Sequence, residues 1–516
     1  MFFLKEYAFR QRIDIVKDDI DINHNRFLQI PEAAQMSNSM RSSSKAKKSM
    51  DKASSIIISV CLIILTGLVI HWLRGKSGGT VLGRVGAIIS AMLFAALGIR
   101  FVPLWVKAWS KTDMAADNAG ACNSDSSGEL DKPVSRAVLA KIFFTFLLVD
   151  IFIILLMYIL QILSGNMKPF SEAVNLWRAT DSASYLTIAE SWYASTGEWD
   201  RLVQLVFLPG YPITIRTVNL LIGNYLLSAM LVSALAFAGA GTVMYRLVRL
   251  DYSHETAIRA LKYLCLLPGA FFFASPMTES LFLLLSVSCL YCLRRKNWLA
   301  ACILGGMASF TRSVGLVLFV PAIFEMISHD VRMSSSAEGL SKSNTGIRKF
   351  AKYACLPIIF LGFGGYLLIN YQVSGNPLQF MIYQREHWPQ SMGFFFNTVS
   401  YQTDYAVRCV EEMEHNNLIG LWLPNLFCIF TGLIIMLPAV KKLRPSYTAY
   451  FLIYYIITIG ATWLLSAPRY LTVLVPLPIA LAVIAEKRRT DDILTLAYEL
   501  LYLVYSYAFV NRWNVW

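Results

Sequence analysis

Charge is what this chain has least of. Of its 516 residues only 15% are Asp, Glu, Lys or Arg, while 56% are hydrophobic. A soluble domain is about 25% charged. So few ionised side chains cannot cover a water-facing surface, so lipid is the expected main solvent. The scarcity excludes a soluble multidomain enzyme, a disordered chain, a fibre and a nucleic-acid-binding module. Other absences narrow the field. The nine cysteines are scattered and hold a single C-x-x-C, Cys289-Leu-Tyr-Cys292. Cys289 and Cys292, the nearest two, sit one helical turn apart in an apolar run and read as small core residues. The six histidines show neither HxxxH nor HExxH, so no metal ligands and no cofactor are assigned. Whether a divalent metal is needed stays open. There is no Walker motif, no dinucleotide-binding pattern and no internal repeat, and the last disfavours a transporter built from two similar halves. No apolar signal segment opens the chain. Residues 1–53 are polar and end in a basic stretch with Arg41, Lys45, Lys47 and Lys48. They read as a cytoplasmic tail that anchors orientation, with contact to anionic lipid as the alternative.

What is present is a succession of apolar runs. A bilayer crossing takes about 20 helical residues. Candidate spans fall near 54–73, 80–106, 138–164, 217–246, 261–277, 279–293, 297–312, 313–328, 351–372, 419–440, 446–465, 470–486 and 493–512. The expected fold class is therefore an all-α polytopic membrane protein of about 11–13 transmembrane helices with a large first outer loop. The net charge of +13 then reads as orientation signal. With the N-terminus inside and each run crossing once, most Lys and Arg residues beyond 135 fall on inner loops. The clearest are Arg294-Arg-Lys296, Lys441-Lys-Leu-Arg444 and Lys487-Arg-Arg489, as the positive-inside rule requires. The divisions are a tail (1–53), two N-terminal helices (54–106), a polar inner linker (107–137) and a core (138–516). The linker sets 1–137 apart as an appendage. Two long outer loops, 165–216 and 373–418, are where function is expected.

The chemistry-bearing residues lie at the outer ends. Asp181, Tyr185 and Ile188–Ala189 share helical spacing, which places Asp181 in a first helical turn, where the helix N-terminus favours a carboxylate. A simple N-cap is the competing reading. Pro209 and Pro212 flank Tyr211 in a rigid turn, tolerated at membrane depth only beside protein or a watery cavity. Glu279 and Arg312 interrupt apolar runs at outer turns, and Arg469 ends another. They either snorkel to the interface or face the bundle interior. An acid near several arginines at the lipid boundary suits a phosphate-bearing lipid, because guanidinium matches phosphate geometry bidentately.

Six short motifs stand in order: Asp181-x-x-x-Tyr185-x-x-Ile188-Ala189, Leu208-Pro-x-Tyr211-Pro212, Thr278-Glu279-Ser280-Leu-Phe282, Thr311-Arg312-x-x-Gly315, Gly375-Asn-Pro377-Leu-x-Phe380 followed by Gln384 and Trp388, and Ser466-x-Pro468-Arg469-Tyr470. Over roughly 138–490 the chain resembles the PIG-V-type (GPI mannosyltransferase II-like) family, its bacterial relatives in particular. Trp177 stands four residues before the acid, where the family places Trp immediately ahead of it. The resemblance implies a GT-C glycosyltransferase that uses a polyprenyl-phosphate-linked sugar, mannose by preference, in an inverting transfer on the outer membrane face. By motif position Asp181 is the implied general base. Arg312 and Arg469 are expected to hold the donor phosphate. Tyr185, Pro209, Tyr211, Glu279, Gln384, Trp388 and Tyr470 are expected to line the substrate path. The expected partners are that donor, a lipid or cell-envelope glycan acceptor and membrane lipids. The expected location is the plasma membrane, with the N-terminus cytoplasmic and the site extracytoplasmic. The alternatives are a transporter or flippase of lipid-linked glycan precursors, and a non-enzymatic scaffold.

Overall fold

In the computed structural model residues 48–76, 78–110, 134–166, 168–193, 203–336 and 345–515 are described. The stretch Arg41–Lys47, most of the 107–137 linker and Arg201 of the first outer loop lie outside them. The described residues are helical, with one isolated antiparallel bridge between Met392 and Ala461. Eight of these helices are long and apolar enough to cross a membrane: Lys48–Gly75, Val81–Ala108, Arg136–Leu163, Tyr225–Val248, Ser313–Ser334, Lys349–Ser374, His415–Ala439 and Arg488–Val510. Their outward faces carry large apolar side chains such as Ile63, Leu148, Phe152, Leu361 and Leu368. So wide an apolar exterior is stable against acyl chains and unstable against water. The chain is an all-α, multi-span membrane protein.

Several apolar runs are broken or form shorter helices than their hydropathy suggests. The run 217–246 breaks at Gly223, whose φ of +71° closes the Gly210–Ile222 helix before Tyr225–Val248 begins. The run 261–277 leaves the helix after Leu266 and passes through a tight turn at Ala270–Ala274. The run 470–486 divides into Ala467–Thr472 and Pro476–Ile484. Glu279–Arg294 has 16 residues, a rise of about 24 Å against a hydrocarbon core of about 30 Å. Hydropathy records that a segment avoids water. It does not record whether lipid or other helices replace that water. Pro476–Ile484, buried at every position through Val483, is apolar for the second reason.

The Pro445–Ile459 helix lies at the centre, with Tyr447, Tyr450, Tyr454 and Tyr455 fully buried. Around it pack Phe319–Ser336, Val81–Ala108, Phe395–Glu411 and Pro476–Ile484. The Val81–Ala108 helix thus packs into the core. Phe94 of Val81–Ala108 stacks within 4.8 Å of Phe395 and 6.1 Å of Tyr455. Asp404 accepts hydrogen bonds from the Thr80 backbone N–H (2.8 Å) and hydroxyl (2.7 Å), and pairs with Lys76 at 3.2 Å. Thr80 in turn caps its own helix by accepting from the Gly83 N–H at 2.9 Å.

The two ends of the bundle differ in charge. At one end Asp251 pairs with both Arg294 and Arg444, Arg444 reaches Glu325 at 3.4 Å, and Lys442 pairs with Glu486 at 2.6 Å. The three basic runs named above all sit here. The other end lacks such basic runs, and short helices and uncharged hydrogen bonds contribute to its closure. Asn511 donates to Ser164, and Gln390, Ser391 and Thr462 join two connecting segments. The second long outer loop is itself helical there, in Gln379–His387 and Phe395–Glu411.

Candidate active site

Asp181 is the first residue of the Asp181–Ser191 helix. It does not act as an N-cap. Thr180 holds that position with φ +56° and ψ −136°, and makes no side-chain cap. A β-branched residue there costs on the order of 1–3 kcal/mol and persists only where the surroundings impose it. Ser182 supplies part of that constraint: its hydroxyl turns back to the carbonyls of Trp177 (2.6 Å) and Ala179 (2.5 Å). The Asp181 carboxylate is left to face Arg469, whose Nη2 donates to Oδ2 at 2.5 Å.

Arg469 lies on the short Ala467–Thr472 helix, which rests against the chain at Gly269. A Cβ on that glycine would meet the Pro468 carbonyl oxygen at 2.8 Å. Arg312 follows the Trp298–Thr311 helix in extended backbone (φ −145°, ψ 134°). The chain then doubles back so tightly that a Cβ on Gly315 would lie 2.4 Å from the Ser309 nitrogen and 2.5 Å from the Ala308 carbonyl carbon. Glu279 opens the Glu279–Arg294 helix and joins the two arginines. Its Oε1 accepts from Arg312 Nη1 at 2.5 Å and lies 2.9 Å from Arg469 Nε. Thr278 accepts a further bond from Arg312 Nη1 at 3.0 Å. Both guanidinium groups also lie over the Tyr470 ring, at 4.9 Å for Arg312 and 5.6 Å for Arg469.

The four charges balance, two acids against two arginines. Their burial does not. The Glu279 side chain is 1% exposed, Arg469 6% and Arg312 7%, while Asp181 is 29% exposed. Glu279 therefore holds the arginines from behind, and Asp181 meets them from the open side. The open side is a cavity of about 180 Å³. Its walls include Asp181, Tyr185, Arg312, Gln384, Trp388, Arg469 and Tyr470, which sequence singled out from four separated motifs. Tyr185 stacks edge-on against Phe207 (5.3 Å) and Tyr211 (5.8 Å). Burial first, and then the Asp181 carboxylate, push its hydroxyl above the ordinary tyrosine value, so it stays protonated.

Three expected lining residues stand behind the wall instead. Tyr211 is fully buried, and its hydroxyl donates to the Ala229 carbonyl at 2.9 Å and bonds Ser233 at 2.8 Å. Pro209 is buried at the entry to the Gly210–Ile222 helix. Glu279 is enclosed by the arginines it pairs with. Each reaches the cavity through a neighbour: Tyr211 through Tyr185, Pro209 through Leu208, and Glu279 through both arginines.

Sequence reasoning missed Phe207, Thr311, Gln390 and Trp463 on the walls. Gln384 donates to Gln390 Oε1 at 2.8 Å, and Gln390 donates to the Trp463 carbonyl at 3.0 Å. The available signal was proximity, since Gln390 and Trp463 lie a few residues from Trp388 and Ser466. Among the described residues no group of three or more His, Cys, Asp and Glu side chains gathers as a metal site. Chemically, the cavity offers an accessible carboxylate, two fixed guanidinium groups, amide side chains and aromatic walls. That set suits a small polyhydroxylated group carrying an anion.

The fold and the site define a multi-span helical membrane protein with a polar, charge-paired cavity at one end of its bundle. No family model matches the chain, and no curated protein matches it. Among solved structures it is similar to ArnT from Cupriavidus metallidurans bound to undecaprenyl phosphate, with 12% identity and a TM-score of 0.40 over 65% of this chain and 72% of that one. It is also similar to the Archaeoglobus fulgidus oligosaccharyltransferase tethered to an acceptor peptide, with 12% identity and a TM-score of 0.36 over 72% of this chain and 55% of that one. The archaeal oligosaccharyltransferase AglB from Archaeoglobus fulgidus, in complex with an inhibitory peptide and a dolichol-phosphate, gives 13% identity and a TM-score of 0.34 over 72% and 56%.

Proposed function

We propose that the chain is an integral-membrane glycosyltransferase of the GT-C type. In this reading it moves a hexose, mannose by preference, from a polyprenyl-phosphate donor to an acceptor hydroxyl on a lipid or cell-envelope glycan. The observation that carries the reading is one cavity in which an accessible carboxylate, Asp181, stands beside two buried arginines, Arg312 and Arg469. The acceptor oxygen attacks the anomeric carbon and forms the new C–O bond. The bond from that carbon to the phosphate oxygen breaks, and its electron pair leaves on the phosphate. Asp181 takes the acceptor proton, a contribution of typically 10²–10⁴-fold. The arginines stabilise the charge building on the phosphate. Attack from the face opposite the phosphate inverts the anomeric centre. Gln384, Gln390, Trp388 and Trp463 are the groups available to the sugar.

The sidedness rests on charge. The basic runs collect at the end opposite the cavity, which the positive-inside rule assigns to the cytoplasm, so the cavity faces the extracytoplasmic side. The test is sugar transfer by purified Asp181→Asn in proteoliposomes with a polyprenyl-phosphate mannose donor. Transfer is expected to fall by at least about 10²-fold while expression and the gel-filtration profile match wild type. Retained turnover refutes the assignment of the base. One observation favours a flippase instead: Asp150, in the middle of the Arg136–Leu163 span, is buried with an oxygen lacking a hydrogen-bond partner. That reading predicts transbilayer movement of the lipid that is lost in Asp150→Asn and intact in Asp181→Asn.

A further inference from the structure

The resting site places its two functional groups in an unexpected relation. If Asp181 is the base and Arg469 holds the phosphate, each now occupies the other. Each of the three guanidinium nitrogens of Arg469 has a neighbour. Its Nε lies against Glu279 Oε1 at 2.9 Å, Nη1 lies 3.9 Å from the Met277 sulfur, and Nη2 donates to Asp181 at 2.5 Å. The first two partners are buried behind the arginine. The third is the accessible carboxylate on the cavity side. An anionic oxygen entering the cavity to reach Arg469 meets the position that Asp181 Oδ2 already fills.

We propose that donor binding is an exchange of anions: the donor phosphate takes the seat of the Asp181 carboxylate on Arg469, and that displacement releases Asp181 to accept the proton of the acceptor. The inference rests on the transferase reading and adds an order of events to it. While Arg469 Nη2 holds Asp181 Oδ2, that oxygen is not open to an acceptor hydroxyl. It is freed when a phosphate takes the arginine, so the donor binds before the acceptor is deprotonated. Charge conservation supports the exchange. The empty site is neutral, and a phosphodiester carries one negative charge, as the departing carboxylate does. Arg469 never loses a counter-ion, and Glu279 keeps the guanidinium aimed while its third partner changes.

The experiment measures binding of a long-chain polyprenyl monophosphate to the purified full chain in nanodiscs, with no acceptor present. Asp181→Asn removes the competing anion and is expected to tighten binding by about tenfold or more, because one charge-assisted bond no longer has to break. Arg469→Met is expected to weaken binding by at least about tenfold. Tightening in the first variant with weakening in the second supports the exchange. Unchanged or weaker binding in Asp181→Asn, with the Arg469 effect intact, overturns the exchange and leaves the phosphate seat standing. No effect of either substitution overturns the phosphate seat as well. A wild-type measurement guards against misfolded variants. Hydrogen exchange over the Asp181–Ser191 helix should speed up when the polyprenyl phosphate is added, and an unchanged or slower rate overturns the release of Asp181.

Discussion

Replacing Glu279 by alanine should destabilise the protein more than almost any other single change at the cavity. Glu279 Oε1 lies 2.5 Å from Arg312 Nη1 and 2.9 Å from Arg469 Nε, so those two nitrogens are within about 5.5 Å of one another. At an effective dielectric constant of about 20, like unit charges at that distance repel by about 3 kcal/mol. With the carboxylate removed, both guanidinium groups stay buried and this repulsion is uncovered. The expected loss is about 3–5 kcal/mol, the usual cost of stranding a buried charge. Glu279→Gln keeps an acceptor oxygen and loses the charge, so it should fall between wild type and alanine. The assay is unfolding in detergent followed by tryptophan fluorescence, run as a double-mutant cycle with Arg469→Met. Once Arg469 is neutral Glu279 pairs one buried arginine instead of two, and Glu279→Ala should cost less by up to about the 3 kcal/mol of one such charge interaction. Equal cost in both backgrounds would refute the reasoning and would mean that Glu279 acts only through packing.

Three further outcomes are expected. Gly315→Ala places a methyl group against the Ala308–Ser309 backbone. It should displace Arg312 and weaken polyprenyl-phosphate binding, with wild-type binding as the contrary result. Tyr211→Phe removes a buried hydroxyl bonded to Ala229 and Ser233 and should cost about 1–2 kcal/mol in stability. It should leave ligand affinity intact, and an affinity loss at unchanged stability would place Tyr211 on the wall after all. In a cysteine-free background, His387→Cys should react with an impermeant thiol reagent from outside the cell and Lys441→Cys only after permeabilisation. The reverse pattern would invert the topology.

The sequence disclosed the parts that depend on composition and local chemistry. The apolar runs located the helices, the basic runs marked one end of the bundle, and Asp181, Arg312 and Arg469 stood out as charges in apolar surroundings. What stayed hidden depends on three-dimensional closure. Apolarity did not separate Lys48–Gly75, whose outer surface meets lipid, from Pro476–Ile484, which meets only protein. Tyr185 and Tyr211 carry similar motif weight, yet one reaches the cavity and the other spends its hydroxyl on the neighbouring helix. Gln390 and Trp463 belong to no motif, and they reach the wall because a connecting segment folds against the Gln379–His387 helix. Nor did spacing tell that Asp181 and Arg469, 288 positions apart, share a hydrogen bond.

The clasp between Thr80, Lys76 and Asp404 has a mechanical consequence. Asp404 belongs to Phe395–Glu411, and that helix braces the 460–466 segment. Thr398 donates to the Ala461 carbonyl at 3.0 Å, Gln402 to the Leu464 carbonyl at 2.8 Å, and the Tyr401 hydroxyl accepts from the Leu464 N–H at 2.6 Å. The braced segment carries Trp463, Leu465 and Ser466, one side of the cavity mouth. The contacts thus run unbroken from the first two helices, through one helix, to the rim of the cavity. A shift of those two helices in the bilayer is expected to change the width of that rim, so the lipid-facing edge and the cavity are mechanically joined.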